Sequence, residues 1–594
     1  MYQFKAITIL ILSNLLLFSS CDIIDLTDYK YPVKDSSDKL IRIAILGTND
    51  FHGGIFPTQF SDLNNKKYKN GGAINLYSYA KILKQQWESQ ILWLDGGDQF
   101  QGSMECMLSN CNIMKDYFNK VGLDAIGLGN HDFDYGLENL RKYIEQQNFP
   151  VLVANVKNNK SNKYLYEEWK NVKAYQIYNL TVNQNIKIGV IGLATKTSPS
   201  QTSTDISSLT FEDYYATTKK WENYLREKEK VHAVILLTHF GPKCENENEE
   251  KMKLQMRDAN TQQRECKESE EIMSFLEQIK NDKDIKIDGV VAAHVHDVVH
   301  HWISGIPVIE SSGSDYFNIL YLPFKLNKDG TIELQSSKIV IEGPIPVCEK
   351  LWPNSKDCVY KYEDSSIMEN FKFHDRLVSI DEDLENDLKF WNDIINKKLE
   401  NELCETKDEM FIDNIKETIL TNFVNDVGRI VTDSDICFFN LGGIRSTWHK
   451  GVINEIDLFR MFPFNNTWVR FEMTGEEVYH MFQNLDGYSI YPNSGTLQTF
   501  KYLNKVYNLK NLLIWDGIEE KPLEPKKTYK ICTNDFLANG GSGMGKVRKW
   551  YTDLRNKKDF GIIRELIFKF LKNMKPITKD KFLDENYPRI TIEN

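Results

Sequence analysis

The stretch Ile41–Pro57, IRIAILGTNDFHGGIFP, decides how the first half of the chain is interpreted. Its first six residues are apolar except for one arginine, which predicts a strand buried in a sheet. Asp50 and His52 follow directly, and Gly53 and Gly54 then allow the chain to turn sharply. Two side chains able to bind a metal stand at one strand exit, so the other strand exits must be searched for partners.

The same pattern, an apolar run followed by polar side chains, recurs along the first half of the chain. β-branched residues dominate the runs, and amphipathic segments lie between them, which together predict a layered α/β domain. Open α/β sheets carry their functional residues at the carboxyl ends of strands. The side chains that follow the later runs are Asp95, Asp98, Asn130, His131, Asp132, Asp134, His239, His294 and His296.

This set of His, Asp and Asn side chains is typical of a site for two divalent cations. Two cations about 3.5–4 Å apart can hold an attacking oxygen and a phosphoryl oxygen together, and they acidify a bound water. Asp95 is expected instead to hydrogen-bond its own GGD turn, and Asp132 to support the ligands from behind. His300 and His301 are expected to be surface or strand residues.

The motifs TNDFHG, DGGDQFQG, GNHDFDYG, THFG and AHVHD, in this order, resemble those of the calcineurin-like metallophosphoesterases. They are most similar to the 5′-nucleotidase branch, which includes periplasmic UDP-sugar hydrolases, and the resemblance extends from about Ile41 to Ile592. It implies a β-sandwich flanked by helices and two divalent metal ions, with zinc expected first and manganese or another divalent ion as the alternative. Ala293 is a departure, because the family often has glycine before the residue equivalent to His294.

The resemblance also implies how the ligands divide between the metals. The residues expected at the first metal are Asp50, His52 and His296. Those expected at the second metal are Asn130, His239 and His294. Asp98 would bridge the two ions, His131 would be the catalytic imidazole, and Asp134 would orient His131.

The α/β pattern of the metallophosphoesterase domain covers residues 38–342, and a polar connector bracketed by cysteines is expected over 343–383. A second α/β domain is expected over 384–594. Its motifs FFNLGGIRSTWHKGVI, MFPFNNTWVRF and TNDFLANGGSGMG resemble the family's C-terminal substrate-specificity domain. The substrate-binding residues that this implies are Asn440 and Arg445 as polar contacts and Phe464 and Phe536 as rings that sandwich a base, each ring having a core aromatic as its alternative interpretation.

Two positions depart from the family in substrate recognition. Ser542 stands where the family usually has an aspartate that binds ribose hydroxyls, and a hydroxyl lacks the charge and the second oxygen of a carboxylate. Lys416 stands where the family carries an arginine that contacts phosphate, and lysine keeps the charge but loses the bidentate fork. We therefore expect intact catalysis with weakened or altered nucleotide specificity.

The N-terminus predicts export. Residues 1–21 combine an early lysine, an apolar stretch and then small residues, which is the form of a signal peptide. The protein is expected to be secreted, extracellular or periplasmic, with no GPI signal and no stable membrane span after cleavage. The alternatives are an uncleaved N-terminal anchor and lipid attachment at Cys21. The net charge of −11 provides no basic surface for a nucleic acid polymer.

Cysteine spacing agrees with an oxidising compartment. Three sequence-local pairs are predicted to be disulfides: Cys106 with Cys111, Cys244 with Cys266, and Cys348 with Cys358. Cys437 and Cys532 lie in apolar runs and are expected to be buried thiols.

The sequence thus predicts an exported two-metal phosphoesterase that hydrolyses nucleoside 5′-monophosphates to nucleoside and phosphate. One alternative is the same chemistry on UDP-sugars, cyclic nucleotides or another phosphoester. A second is a secreted binding protein without turnover. The sequence carries no signal for an oligomeric state.

Overall fold

The architecture is that of a computed structural model. It describes residues 40–61, 67–87, 90–181, 185–202, 204–244, 255–261, 265–352, 358, 369–399, 401–413, 416–484, 491–503, 506–515, 519–541, 544, 554–574 and 576–593. The predicted signal peptide, Cys21 and Ser542 lie outside these residues. Within the described ranges, no helix is both long and apolar enough to cross a membrane.

The first domain is built on two β-sheets. In the first sheet, the central strand Leu40–Thr48 pairs in parallel with Ile91–Asp95 and antiparallel with Tyr316–Leu326. The strands of this sheet in spatial order are Gln255–Arg257, Val340–Pro346, Tyr316–Leu326, Leu40–Thr48, Ile91–Asp95, Ala125–Ile126, Val151–Leu152 and Val172–Lys173, with Ile332–Leu334 paired to Tyr316–Leu326 off this path.

The second sheet is mainly parallel in its centre. Its strands in spatial order are Tyr175–Thr181, Asn185–Leu193, Ala233–Thr238, Gly289–Ala292, Ile306–Glu310 and Val299–Ile303. Smaller sheets in this half of the chain are formed by Leu209–Phe211, Val156–Asn158 and Lys163–Tyr164, by Thr58–Ser61 and Lys67–Asn70, by Lys350–Leu351 and Glu369–Asn370, and by Lys372–Phe373 and Arg376–Leu377.

The two sheets pack against each other and carry helices on their outer faces. Ile43 and Ile45 belong to the core between the sheets, whereas Ala44 and Leu46 pack with the helices on the other side. Because side chains alternate along a strand and both faces are covered, the whole run is apolar. The expected sandwich flanked by helices is confirmed.

The helices of the first domain supply apolar faces at helical spacing. In the longest of them, Leu76, Tyr79, Leu83 and Trp87 are buried at intervals of three or four residues. The helices are Ala73–Trp87, Met104–Ser109, Asn112–Val121, Leu137–Glu145, Leu165–Glu168, Ser198–Gln201, Tyr214–Glu227 and Glu271–Asn281, with 3₁₀ turns at His131–Phe133 and Ser336–Lys338.

The second domain is also α/β. Its five-stranded sheet runs Asn493–Ser494, Ile436–Phe438, Thr528–Asn534, Thr467–Thr474 and Arg555–Ile562 in spatial order. A four-stranded sheet runs Glu520–Pro522, Val506–Trp515, Thr496–Leu503 and Ile590–Glu593, and Glu402–Thr406 pairs with Gly451–Asn454. The helices from the connector onward are Glu382–Asp387, Lys389–Leu399, Ile419–Thr432, Glu455–Met461, Gly475–Asn484, Asp535–Ala538, Ile563–Lys572 and Lys579–Phe582, with a 3₁₀ turn at Leu441–Gly443.

The two domains touch beside the strand exits of the first domain. Met104 packs with Ile395 and Ile456 in one small apolar cluster, with Phe459 against its edge. The helix that carries Met104 therefore contacts the second domain directly, close to the loop that carries Asp98.

The structure confirms the three predicted disulfides and adds a fourth. Cys437 and Cys532 are joined, so the expectation of two buried thiols was wrong. The reason is strand register, because parallel pairing sets Cys437 opposite Cys532 on neighbouring strands. Cys404 remains a thiol and contacts the carbonyl of Glu405 at 3.5 Å.

Candidate metal centre

Seven of the predicted site residues gather where strands of both sheets end. Three loops leave the first sheet and two leave the second, and the two sets of strand ends face one cleft. The strands and the side chains that follow them are Leu40–Thr48 with Asp50 and His52, Ile91–Asp95 with Asp98, Ala125–Ile126 with Asn130, Ala233–Thr238 with His239, and Gly289–Ala292 with His294 and His296.

The first cluster is formed by Asp50, His52 and His296. One ligand atom from each lies within 4.8 Å of the other two. Asp50 Oδ1 is 3.4 Å from His296 Nε2, and the Nε2 atoms of His52 and His296 are 3.3 Å apart. Three donor atoms that converge on one point are suited to a single cation.

The second cluster is formed by Asp98, His239 and His294, again within 4.8 Å of one another. Asp98 Oδ2 lies 3.1 Å from His239 Nε2, and Asn130 Oδ1 lies 3.2 Å from the same nitrogen. Asp98 Oδ2 is also 3.8 Å from His52 Nε2 in the first cluster. One carboxylate oxygen therefore stands between the two clusters, which is the position of a bridging ligand.

Two buried oxygen atoms test whether these clusters fit metal ions. Asp50 Oδ1 and Asp98 Oδ2 are fully buried and have no hydrogen-bond donor among the described residues. A buried carboxylate oxygen without a partner is strongly unfavourable, and a cation removes that penalty. Both oxygens point at imidazole nitrogens rather than at N–H groups of the backbone, so the donor set fits divalent cations.

The imidazoles are held by their other nitrogen. His52 Nδ1 lies 2.9 Å from the carbonyl of Phe100, and His239 Nδ1 lies 2.9 Å from the carbonyl of Gly96. A carbonyl accepts only from N–H, so each contact places a proton on Nδ1 and leaves Nε2 as the nitrogen that faces the cluster. Asn130 is fixed similarly, because its Nδ2 donates to the carbonyl of Gln201 at 3.1 Å and its Oδ1 faces the site.

Five of the proposed ligands have a left-handed backbone. Their φ angles are 53° at Asp50, 46° at His52, 58° at Asp98, 83° at His294 and 58° at His296. This conformation is unfavourable for residues other than glycine and is concentrated at functional sites. The predicted glycine turns are present, with φ angles of 70° at Gly53 and 97° at Gly97, but the sequence did not predict that the proposed ligands would also adopt this conformation.

His131 and Asp134 form a hydrogen-bonded pair beside the clusters. His131 Nδ1 lies 2.6 Å from Asp134 Oδ2, and Thr202 Oγ1 donates to the other oxygen of Asp134 at 2.8 Å. The backbone N–H of His131 donates to Asp98 Oδ1 at 2.8 Å. The imidazole is thus oriented by one carboxylate, and its backbone is anchored to another.

The second domain contributes two groups to this cleft. The ring of Phe464 stacks on the imidazole of His131, with centroids 5.6 Å apart and an interplanar angle of 29°. The guanidinium of Arg445 lies 5.8 Å from the centroid of Phe464 and interacts electrostatically with Asp50 and His296. A guanidinium and an aromatic ring from the second domain therefore face the two clusters of proposed ligands in the first domain.

Two matches with known families cover most of the chain. Residues 43–298 match the calcineurin-like phosphoesterases, and residues 403–549 match the C-terminal domain of 5′-nucleotidases. The chain belongs to the 5′-nucleotidase family of calcineurin-like phosphoesterases. Like other members of this family, it is a metal-dependent phosphoester hydrolase.

Relatives of this 5′-nucleotidase family member align over nearly their whole length. A 5′-nucleotidase of Vibrio vulnificus is 24% identical over 92% of this chain and 93% of its own. An apyrase of Tabanus yao is 23% identical over 92% of this chain and 94% of its own. The structure of a 5′-nucleotidase precursor from Thermus thermophilus shares the fold, with a TM-score of 0.69, 18% identity, and coverage of 93% of this chain and 100% of that one.

The other residues predicted to bind substrate in this 5′-nucleotidase family member lie in different surroundings. Asn440 Oδ1 accepts from Asn534 at 2.7 Å, so its amide is fixed, and Phe536 packs over Gly541. The side chain of Lys416 is exposed, and no contact within the described ranges joins it to either cluster of proposed ligands. Its assigned role, like that of Ser542, stays a prediction.

Residues behind the ligands complete the centre. Asp132 accepts from the backbone N–H groups of Asp98 at 3.1 Å and Gly129 at 2.8 Å, which confirms its expected supporting role. Asp95 accepts from Gly97 at 3.0 Å within its own turn, also as expected. His300 and its neighbour at 301 are buried in the strand Val299–Ile303, so the surface alternative was wrong.

Two supporting residues were missed from the sequence. Glu310 is buried, and its Oε1 accepts from the N–H of Val295, between the two histidine ligands, at 3.0 Å. Burial, with Asp50 nearby, raises the pKa of Glu310 well above its usual range. Asn49 Nδ2 donates to Asp50 Oδ2 at 2.6 Å and to the carbonyl of Ser311 at 2.8 Å. Both residues lie at strand ends, and only the pairing of strands that are distant in sequence shows which groups they contact.

Burial and charge set the protonation of the imidazoles. Burial lowers the pKa of His52 to about 3 and that of His294 to about 4, so both rings are neutral and able to bind a cation. Burial also disfavours the charged form of His131, but the carboxylates of Asp134 and Asp98 outweigh it and raise the pKa of His131 to about 9. A protonated imidazole beside the clusters can donate a proton.

Proposed function

We propose that this protein is an exported phosphoesterase that binds two divalent cations and hydrolyses nucleoside 5′-monophosphates to nucleoside and phosphate. The observation that carries the proposal is the position of Asp98 Oδ2, 3.1 Å from His239 Nε2 and 3.8 Å from His52 Nε2. One carboxylate oxygen shared by two ligand clusters is the arrangement of a two-metal phosphoesterase. Zinc is the preferred ion, with manganese as the alternative.

In this proposal the first metal is held by Asp50, His52 and His296. The second is held by Asn130, His239 and His294, and Asp98 bridges. When bound, the two ions supply positive charge for the phosphoryl oxygens and a water acidified towards neutral pH.

The protein's own groups do the rest. His131, oriented by Asp134, donates its proton to the oxygen of the departing nucleoside. Arg445 faces the same cleft, and its guanidinium fork suits phosphate oxygens. Phe464 and Phe536 hold the base mainly by stacking, which tolerates differences between bases. Asn440, Lys416 and Ser542 are proposed as further polar contacts to the substrate.

The test is phosphate release by purified protein loaded with zinc or manganese, from a panel of nucleoside 5′-monophosphates. We expect release that is abolished by a chelator and restored by either metal. Metal-loaded protein that binds two ions and releases phosphate from no nucleotide would overturn the proposal. Mass spectrometry of the secreted protein, which should start after residue 21, tests export separately.

One observation favours a second substrate class, phosphoesters that carry another substituent, such as UDP-sugars. A cavity of about 460 Å³ is bordered by His296, so it adjoins the first cluster. Lys243 and Lys267 line the cavity together with Glu265 and Asp297, so ammonium groups are present for a second phosphate and carboxylates for sugar hydroxyl groups. Hydrolysis of UDP-glucose by the same protein would support this class, and hydrolysis of monoesters alone would exclude it.

A further inference from the structure

The loop that carries Phe464 is held by the buried guanidinium of one arginine. Arg564, in the first turn of the helix Ile563–Lys572, is 5% exposed. Its Nη1 donates to the carbonyls of Phe462 at 2.6 Å and Phe464 at 3.3 Å, and its Nη2 donates to Asn465 Oδ1 at 2.8 Å. Partners on both sides of Phe464 fix the backbone from which its ring projects.

The geometry of this contact is specific to arginine. A planar guanidinium presents several N–H groups in a fixed fork, so one side chain can bind three oxygens of a short segment at once. The same guanidinium stacks on Phe459, with its carbon 4.3 Å from the ring centroid. Arg564 is therefore held on one face by Phe459 while its edge binds the loop.

A second residue, Asp535, joins this loop to the short helix that carries Phe536. Asp535 Oδ1 accepts from Asn466 Nδ2 at 2.8 Å, from the N–H of Thr467 at 3.1 Å, and from the N–H of Phe536 at 2.9 Å. One carboxylate oxygen thus binds the end of the first loop and the start of the helix Asp535–Ala538. The relative position of the two ring-bearing segments depends on that oxygen.

We infer that Arg564 and Asp535 are positioning residues that set the gap between the rings of Phe464 and Phe536 for the base of the substrate. This inference rests on the proposed function. A planar base sandwiched by two rings needs each ring at van der Waals distance, and a gap wider by about 0.5–1 Å already loses a quarter to a half of the attraction. Neither residue needs to touch the substrate to affect it.

The experiment compares two substrates that differ only in the base, adenosine 5′-monophosphate and ribose 5-phosphate. The variants are Arg564→Met, which keeps the stem and removes the fork, Arg564→Lys, which keeps the charge, and Asp535→Leu, which keeps the size of the side chain and removes its oxygen acceptors. The control is Lys569→Met, an exposed position on the helix of Arg564. Thermal unfolding midpoints establish which variants are folded.

We expect Arg564→Met and Asp535→Leu to lower kcat/KM for adenosine 5′-monophosphate about tenfold or more, mainly through KM. The value for ribose 5-phosphate should stay within a factor of two. Arg564→Lys should recover part of the loss, since one ammonium can bind some of the three oxygens, and Lys569→Met should match the wild type on both substrates. If Arg564→Met does not fold, Asp535→Leu and Arg564→Lys carry the comparison.

Two results would overturn the inference. The first is an equal fall on both substrates, or no fall on either, in the folded variants. The second is a wild type that hydrolyses adenosine 5′-monophosphate no better than ribose 5-phosphate, which leaves the phosphoesterase proposal intact. Failure of the wild type on both substrates would count against the proposed function itself.

Discussion

The candidate metal centre and the two ring-bearing segments of the second domain are built in different ways. Asp98 and His239 are at most 1% exposed, and each is held by hydrogen bonds to the ends of neighbouring strands. Phe464 is half-buried on a connecting segment, Phe536 is half-buried in the helix Asp535–Ala538, and Arg445 is exposed at the cleft. The groups proposed for chemistry stand on loops at the ends of buried strands, whereas Phe464 and Arg445 stand on connecting segments and Phe536 stands on a short helix.

This difference indicates how the molecule can change. A side chain at the sheet edge takes part in several contacts, so its replacement disturbs metal binding, backbone geometry and catalysis together. A side chain proposed for recognition takes part in fewer of these contacts, and under the proposed function the departures at Lys416 and Ser542 would alter substrate binding without changing the metal ligands. Four substitutions test this contrast, ordered by expected effect.

The largest effect is expected from Asp98→Ala. This change removes the oxygen that lies between the two clusters, so we expect each chain to lose at least one metal ion. Turnover should fall about a thousandfold or more, as it does for other residues on which a whole catalytic unit depends. Metal content by elemental analysis and phosphate release are the measurements. Asp284→Ala, at an exposed position of the same domain, is the control. A variant that keeps two metals would remove Asp98 from its bridging role.

The next effect is expected from His131→Ala. The imidazole is not among the ligands, so metal content and the unfolding midpoint should stay near wild type while kcat falls about 10²–10⁴-fold. Asp134→Asn should lower kcat by less, because the imidazole remains but loses the carboxylate that holds its Nδ1–H at 2.6 Å. Unchanged turnover of His131→Ala would show that proton donation comes from elsewhere.

A smaller effect is expected from Phe464→Ala. Stacking of a base on one aromatic ring contributes about 1–3 kcal/mol, so kcat/KM for a nucleotide should fall about 5- to 150-fold. Phe464→Tyr keeps the ring and should behave nearly as wild type. Because Phe464 also stacks on His131, the same assay with ribose 5-phosphate separates the loss of base binding from any disturbance of the imidazole.

The smallest effect is expected from Ser542→Asp. A carboxylate accepts hydrogen bonds from two ribose hydroxyls more strongly than a serine hydroxyl does, which predicts a gain of a few-fold, about 1 kcal/mol, in kcat/KM for ribonucleotides. A deoxyribose substrate, which lacks one hydroxyl, should gain less. A decrease for both sugars would mean that this position does not face ribose.

The gathering of the proposed ligands could be predicted from the sequence because each follows an apolar run, and a strand exit is a local signal. Asp50 and His239 are examples, since the strand before each is apparent without knowledge of its neighbours. Contacts between distant segments could not be predicted. The disulfide of Cys437 with Cys532 depends on strand order, and the support that Glu310 gives to the histidine loop depends on two strands being adjacent.

Backbone conformation was the other quantity missing from the sequence. Nothing in the motif TNDFHG distinguishes a ligand with φ near −60° from one with φ of 46°, as at His52. The side-chain chemistry of that position was therefore predictable, but the strain was not. Such strain becomes visible only when the surrounding contacts that impose it are known.

The left-handed backbone of the five proposed ligand residues links metal binding to the stability of the fold. Each such residue destabilises the fold by about 1–3 kcal/mol, and the close carboxylates Asp50 and Asp98 add repulsion. A cation that binds only the folded state offsets this in proportion to the logarithm of its concentration. The availability of divalent ions in the surroundings should thus govern resistance to unfolding and proteolysis as well as rate, and the enzyme's abundance would follow the supply of its metal.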